Sequence, residues 1–230
     1  MTLSIAGRSA AELGGEGSIL LRQRRDHVEL DRLMNAWLAA DATDPHRERL
    51  WQDIVQLVFS HAFAEETVLW PLLRHVTRTG ERLTARVEEE HQAINGLIAK
   101  MERAGRDDPR REAWAQEAFA LIREDIRDEE DELLPRLRET LSDRRLRRVG
   151  AAWEAVRRTA PTHPHPAVPR RPPGNAVLGV PLSGFDRLRD LAPVDSPAAR
   201  RAASAAGTLL VASAAALLVR RALRRRRPGT

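Results

Sequence analysis

HAFAEETVLWPLL at residues 61–73 and DIRDEEDELLPRL at residues 125–137 are two copies of one segment, 64 residues apart. The same offset carries DHVELDRLM at 26–34 onto EHQAINGLI at 90–98, Asp44-Pro45 onto Asp108-Pro109, and Glu48 onto Glu112, with no gap. The pairs include His27/His91, His61/Asp125, Glu65/Glu129, Glu66/Glu130, Leu69/Leu133 and Pro71/Pro135. A repeat of this length, built from helix-forming residues, reads as two helical hairpins related by a pseudo-twofold axis. Each Asp-Pro pair reads as an N-cap followed by proline at the first helical position.

Residues 18–158 are rich in Leu, Ala, Arg and Glu, and prolines occur there at 45, 71, 109 and 135. No stretch alternates as a strand does. Breaks at 41–45, 79–80 and 105–109 divide the region into four long helices, with a shorter fifth at 143–158. Short connections make consecutive helices antiparallel neighbours. The expected fold is all-α: an up-down antiparallel four-helix bundle with an internal pseudo-twofold repeat.

The apolar stripes of these helices are interrupted by polar residues at matching places. The first helix shows Leu20, His27, Leu30, Met34 and Trp37; the third shows Val87, His91, Ile94, Ile98 and Met101. The second carries His61 and Glu65 on its stripe, and the fourth carries Asp125 and Glu129. Residues four apart project from one helix face. Counting back from the turns at about 1.5 Å per residue puts each pair at one height in the bundle. Six side chains therefore converge on one slice of the interior: His27, His61, Glu65, His91, Asp125 and Glu129. Burying three carboxylates uncompensated costs several kcal/mol each. No Lys or Arg lies on those stripes. A pair of divalent or trivalent cations supplies the missing charge, and imidazole with carboxylate suits iron, manganese or zinc. A lone core histidine is ordinarily a hydrogen-bonded structural residue, and Glu-Glu runs are ordinarily solvated. Glu66, Glu130, Asp128, Asp131 and Glu132 are read as solvated; the repeated His and carboxylate pattern is not.

Composition removes other chemistries. The 230 residues contain no Cys, which excludes disulfides, thiolate catalysis and Cys-ligated clusters. There is no Tyr, so no tyrosyl radical or phenolate ligand. Residues 20–160 carry 25 basic and 28 acidic side chains, while residues 161–230 carry 12 Arg against 3 Asp. The net charge of +5 thus belongs to the tail, and a nucleic-acid partner is not expected for the bundle.

The pieces DHVELDRLM, HAFAEETVLWPLL, EEHQAINGLI and DIRDEEDELLPRL resemble the hemerythrin-like family, the HHE cation-binding domain, over roughly residues 18–142. The resemblance implies a four-helix bundle around an oxo- or hydroxo-bridged pair of non-haem Fe ions, with Mn and Zn accepted less readily. It implies His27, His61 and His91 as terminal ligands and Glu65 and Glu129 as bridging carboxylates. It implies a cation-binding protein that senses or handles O2, peroxide, nitric oxide or iron. The rival readings are a weak di-iron peroxidase or nitric oxide scavenging enzyme, and a metal-free helical scaffold with a membrane-associating tail. The chain departs from the family twice. Asp125 stands where histidine is usual, and Val87 and Asn95 flank His91 where O2 carriers have a second histidine. The donor set is thereby poorer in nitrogen and favours the ferric state over reversible O2 carriage.

Four regions follow: a disordered N-terminus at 1–17, the bundle with its fifth helix at 18–158, a Pro-rich linker with a short amphipathic helix at 159–198, and an Ala-rich helix with an Arg-rich tail at 199–230. Residues 202–219 hold 18 residues without a charge, of which eight are Ala. As a helix they would be about 27 Å long, close to a bilayer's hydrocarbon core. Arginines at 200, 201, 220, 221 and 224–227 flank them. This segment is expected as a C-terminal membrane anchor contacting anionic lipid. With no secretory signal at the start, the bundle is expected in the cytoplasm.

Overall fold

A computed structural model describes residues 4–104 and 108–160. Helix α1 spans Ile19–Ala39. Helix α2 runs over Pro45–Ala64, widens into a π turn at Glu65–Leu69 and resumes over Trp70–Val76. Helix α3 spans Gly80–Arg103. Helix α4 runs over Arg111–Asp128, widens at Glu129–Leu133 and resumes over Leu134–Thr140. Helix α5 spans Asp143–Arg157. No strand occurs among the described residues. The first two helices pack against each other, as do the third and fourth, and α5 lies against α1 and α2. The all-α bundle read from the repeat is the fold.

Asp44 caps α2 as expected, its Oδ1 accepting from the His46 amide at 2.8 Å. Its repeat partner Asp108 accepts from the Arg110 amide at 2.9 Å, and in both copies the residue three further on donates its N–H to the Asp carbonyl, Arg47 to Asp44 O and Arg111 to Asp108 O. Helix α4 starts at Arg111 rather than at the proline.

The two π turns have one cause. Proline at 71 and 135 has no N–H to donate and collides with a carbonyl in the α register. Each helix widens just before it, with Trp70 N–H bonding to Glu65 O and Leu134 N–H to Glu129 O. In that wider register Glu130 O would take its hydrogen bond from residue 135, which is proline. The Ile5 amide supplies it instead, at 3.0 Å.

That contact corrects the reading of the N-terminus as disordered. Residues 4–17 form turns against the bundle, with Ile5 and Leu13 fully buried. Ser9 and Glu12 cap a short turn reciprocally, Glu12 Oε2 accepting from Ser9 N–H and Ser9 Oγ from Glu12 N–H. Gly14 holds a φ of 89°, a conformation that a side chain disfavours. Of the linker and short helix expected over 159–198, residues 161–198 lie outside the described residues, as does the tail at 199–230. Among the described residues, no helix is long and apolar enough to cross a membrane.

The interior is two apolar clusters with a polar slice between them. One holds Leu20, Leu69, Trp70, Val87, Leu133 and Trp153; the other holds Leu30, Met34, Trp37, Ile94, Phe119 and Ile122. Every helix of the four crosses from one cluster to the other through a histidine or carboxylate.

Helix α5 approaches the N-terminal segment closely at Gly150. A Cβ there would lie 2.2 Å from Gly17 O and 3.0 Å from Ile19 N, both backbone atoms, whereas a Cβ at Gly96 meets nothing within 4 Å. Gly150→Ala is therefore expected to lower unfolding free energy by about 1–3 kcal/mol. Gly96→Ala should raise it by roughly 0.5–1 kcal/mol through helix propensity. Denaturant titration of the two variants checks the opposite signs.

Candidate metal centre

The structure brings all six sequence-predicted side chains together in that slice, each at most 8% exposed. His27 and His61 each offer a ligand atom within 4.8 Å of Glu129, and Glu65 and His91 do the same with the same Glu129. Glu129 is common to both groups. His61 Nε2 lies 3.1 Å from Glu65 Oε1, and His27 Nε2 lies 3.2 Å from Glu129 Oε2. His91 Nε2 lies 3.4 Å from Asp125 Oδ2 and 3.7 Å from Glu65 Oε2. These contacts are close but poorly aligned. His27 Nε2, both oxygens of Glu65, both of Glu129 and Asp125 Oδ1 are buried with no hydrogen-bond partner. The atoms left open are those that face one another across the slice.

The outward faces of the three imidazoles are occupied. His27 Nδ1 meets Glu130 Oε1 at 2.7 Å, His91 Nδ1 meets Glu66 Oε1 at 2.9 Å, and His61 Nδ1 meets Asp26 Oδ2 at 3.1 Å. A carboxylate on Nδ1 fixes the tautomer that leaves Nε2 free to bind, and raises its basicity. The solvated reading of Glu66 and Glu130 is therefore corrected: Glu66 is 1% exposed, and both hold a histidine. The π turns account for this, because a widened turn brings consecutive residues 65–66 and 129–130 nearer to one helix face. Asp128, Asp131 and Glu132 remain on the outer side, at least partly solvated. Asp26 was not singled out in the sequence. Its signal was its position beside His27 in the repeated stretch, where Glu90 stands beside His91.

Residues outside the repeat complete the surroundings of His61. The Trp153 ring of α5 stands edge-on to it, centroids 5.6 Å apart. Arg157, also on α5, lies 3.4 Å from the Asp26 carboxylate.

Without a cation the charges in this slice conflict. Burial pushes the Glu65 carboxyl up, Glu129 beside it adds to the effect, and its pKa reaches about 7. Burial also disfavours the imidazolium of His27, but Glu129 and Glu130 outweigh it and push its pKa up to about 9. Glu90, against Asp125, is raised to about 7 by burial and by the Asp125 and Asp128 charges. Asp125 itself is raised by burial. The ion pairs of Glu65, Asp125 and Glu129 among the described residues are all with histidines. The open oxygens of Glu65, Glu129 and Asp125, with the open His27 Nε2 beside them and no Lys or Arg paired to them among the described residues, fit a pair of metal ions.

The hemerythrin HHE cation-binding domain matches residues 19–137, and the chain belongs to that family. It is also similar to an uncharacterised hemerythrin-like protein of Schizosaccharomyces pombe. The two are 25% identical over 152 residues, which is 65% of this chain and 75% of the yeast protein. No solved structure matches. Ile5 and α5, with Trp153 and Arg157, lie beyond the matched span.

Glu66→Gln, Glu130→Gln and Asp26→Asn are each expected to weaken cation affinity by roughly 10–100-fold. Exposed Glu89→Gln is expected to leave it unchanged. Competition with a chelator, with helicity checked by circular dichroism, separates the two groups.

Proposed function

We propose that this hemerythrin-family chain holds two non-haem iron ions and serves as a sensor or handler of small oxidants such as O2, peroxide or nitric oxide. The observation that carries the reading is the orientation of the three histidines. Each presents Nε2 to unpaired carboxylate oxygens while a carboxylate holds its Nδ1. His27 and His61 would hold one ion and His91 and Asp125 the other, with Glu65 and Glu129 between them. When bound, an iron pair supplies an open coordination position and a reversible change between ferrous and ferric states.

The rest is done by the protein. The two apolar clusters exclude water above and below the slice. Leu30, Phe59, Ile94 and Ile122 line a small cavity that reaches His61, His91 and Asp125. Its size admits one small molecule and no extended substrate. The acidic surroundings stabilise higher metal charge, which supports redox response over reversible O2 carriage. A cavity of that size supports sensing of a small molecule over turnover of a larger reactant. Attachment to an anionic membrane through residues 199–230 belongs to the same reading. It rests on the uncharged run 202–219 between arginines.

The purified full chain, reconstituted anaerobically with iron, is expected to hold two irons by elemental analysis. Glu129→Ala should lose both, since both groups share it, whereas His27→Ala should lose one. No bound metal in the wild type, or full metal content in Glu129→Ala, would overturn the reading. For the tail, removal of 199–230 should shift the protein from the membrane to the soluble fraction of lysed cells.

A further inference from the structure

The two halves of the repeat differ at two positions that bear on the slice. His61 of the first half is answered by Asp125, and Asp31 is answered by Asn95. Asp31 is exposed and paired with Arg123 at 2.9 Å. Asn95 is 2% exposed, lies one helical turn beyond His91, and lines the same cavity as His91 and Asp125. Its Oδ1 is buried with no hydrogen-bond partner among the described residues. A buried amide oxygen left open is costly unless something completes it. Asp125 Oδ1, on the same cavity, is open in the same way.

We propose that Asn95 joins His91 and Asp125 at one of two unequal cation positions, and that this position takes a harder ion than its neighbour. The inference rests on the two-metal reading above and deepens it. The His27–His61 position has two imidazoles and shares the carboxylates Glu65 and Glu129. The other has one imidazole, the Asp125 carboxylate and the Asn95 amide oxygen, with the same shared carboxylates. Imidazole suits iron and zinc, whereas carboxylate and carbonyl oxygens suit manganese. The repeat therefore supplies one iron-type position and one manganese-type position from a single duplicated motif.

The test uses the full chain, stripped by chelator and reloaded anaerobically from equimolar Fe(II) and Mn(II). The expected product holds one iron and one manganese by elemental analysis, with anomalous scattering at the two absorption edges placing manganese beside His91. Asn95→Leu, close in volume, is expected to reduce manganese retention at least tenfold with iron occupancy unchanged. Asn95→Asp keeps an oxygen donor and should retain manganese. Asp125→His should convert the product to two irons. Two irons in the wild type, or undiminished manganese in a folded Asn95→Leu, overturns the inference and leaves the two-metal reading standing. Failure to hold either metal overturns both.

Discussion

The structure depends on unbalanced charge at its centre. Glu65, Asp125 and Glu129 are buried in one slice and face imidazoles, with arginines held at the periphery. Such an arrangement is unfavourable for a helical bundle without a cation, because desolvation of each carboxylate costs several kcal/mol. The apolar clusters on either side are what make it tolerable. They fix the helices at heights where the carboxylates cannot move apart. The same rigidity leaves the open oxygens aimed at one place.

Duplication explains how so many ligand-type atoms reach that place. One helical hairpin contributes a histidine from its first helix and an acid pair from its second. The twofold partner repeats them, and the proline after each acid pair forces a widened turn. That turn sends Glu65 and Glu129 into the slice. It also sends Glu66 and Glu130 across the axis to the histidines of the opposite half, Glu66 to His91 and Glu130 to His27. Proline thus acts at one remove: it changes the helix register, and the register aims two acids from each repeat. The carbonyl it strands at Glu130 is satisfied by Ile5, which ties the N-terminal segment to the site.

Helix α5, beyond the family's matched span, gathers on one histidine. Trp153 packs on His61, Arg157 reaches Asp26, and Asp26 holds the Nδ1 of His61. Gly150 lets α5 come close enough for this by leaving room for the backbone at 17–19. The covering helix therefore bears on the candidate metal centre through packing and charge.

Much of this protein was legible in its sequence, for a definite reason. Helical periodicity and an ungapped repeat report which side chains share a face and at what height, so the bundle and the convergence of His27, His61, Glu65, His91, Asp125 and Glu129 are expected from spacing. What spacing cannot report is the rotation of one helix against another, or a local change of helical register. Glu66 and Glu130 read as solvated because a regular 3.6-residue helix turns them outward, and only the widened turns bring them in. Asp26 and Arg157 are partly exposed, and Trp153 lies on a fifth helix outside the repeat. Their meeting at His61 was decided by how α1, α2 and α5 pack, and the placement of residues 4–17 by the burial of Ile5 and Leu13 together with the Ile5–Glu130 backbone hydrogen bond.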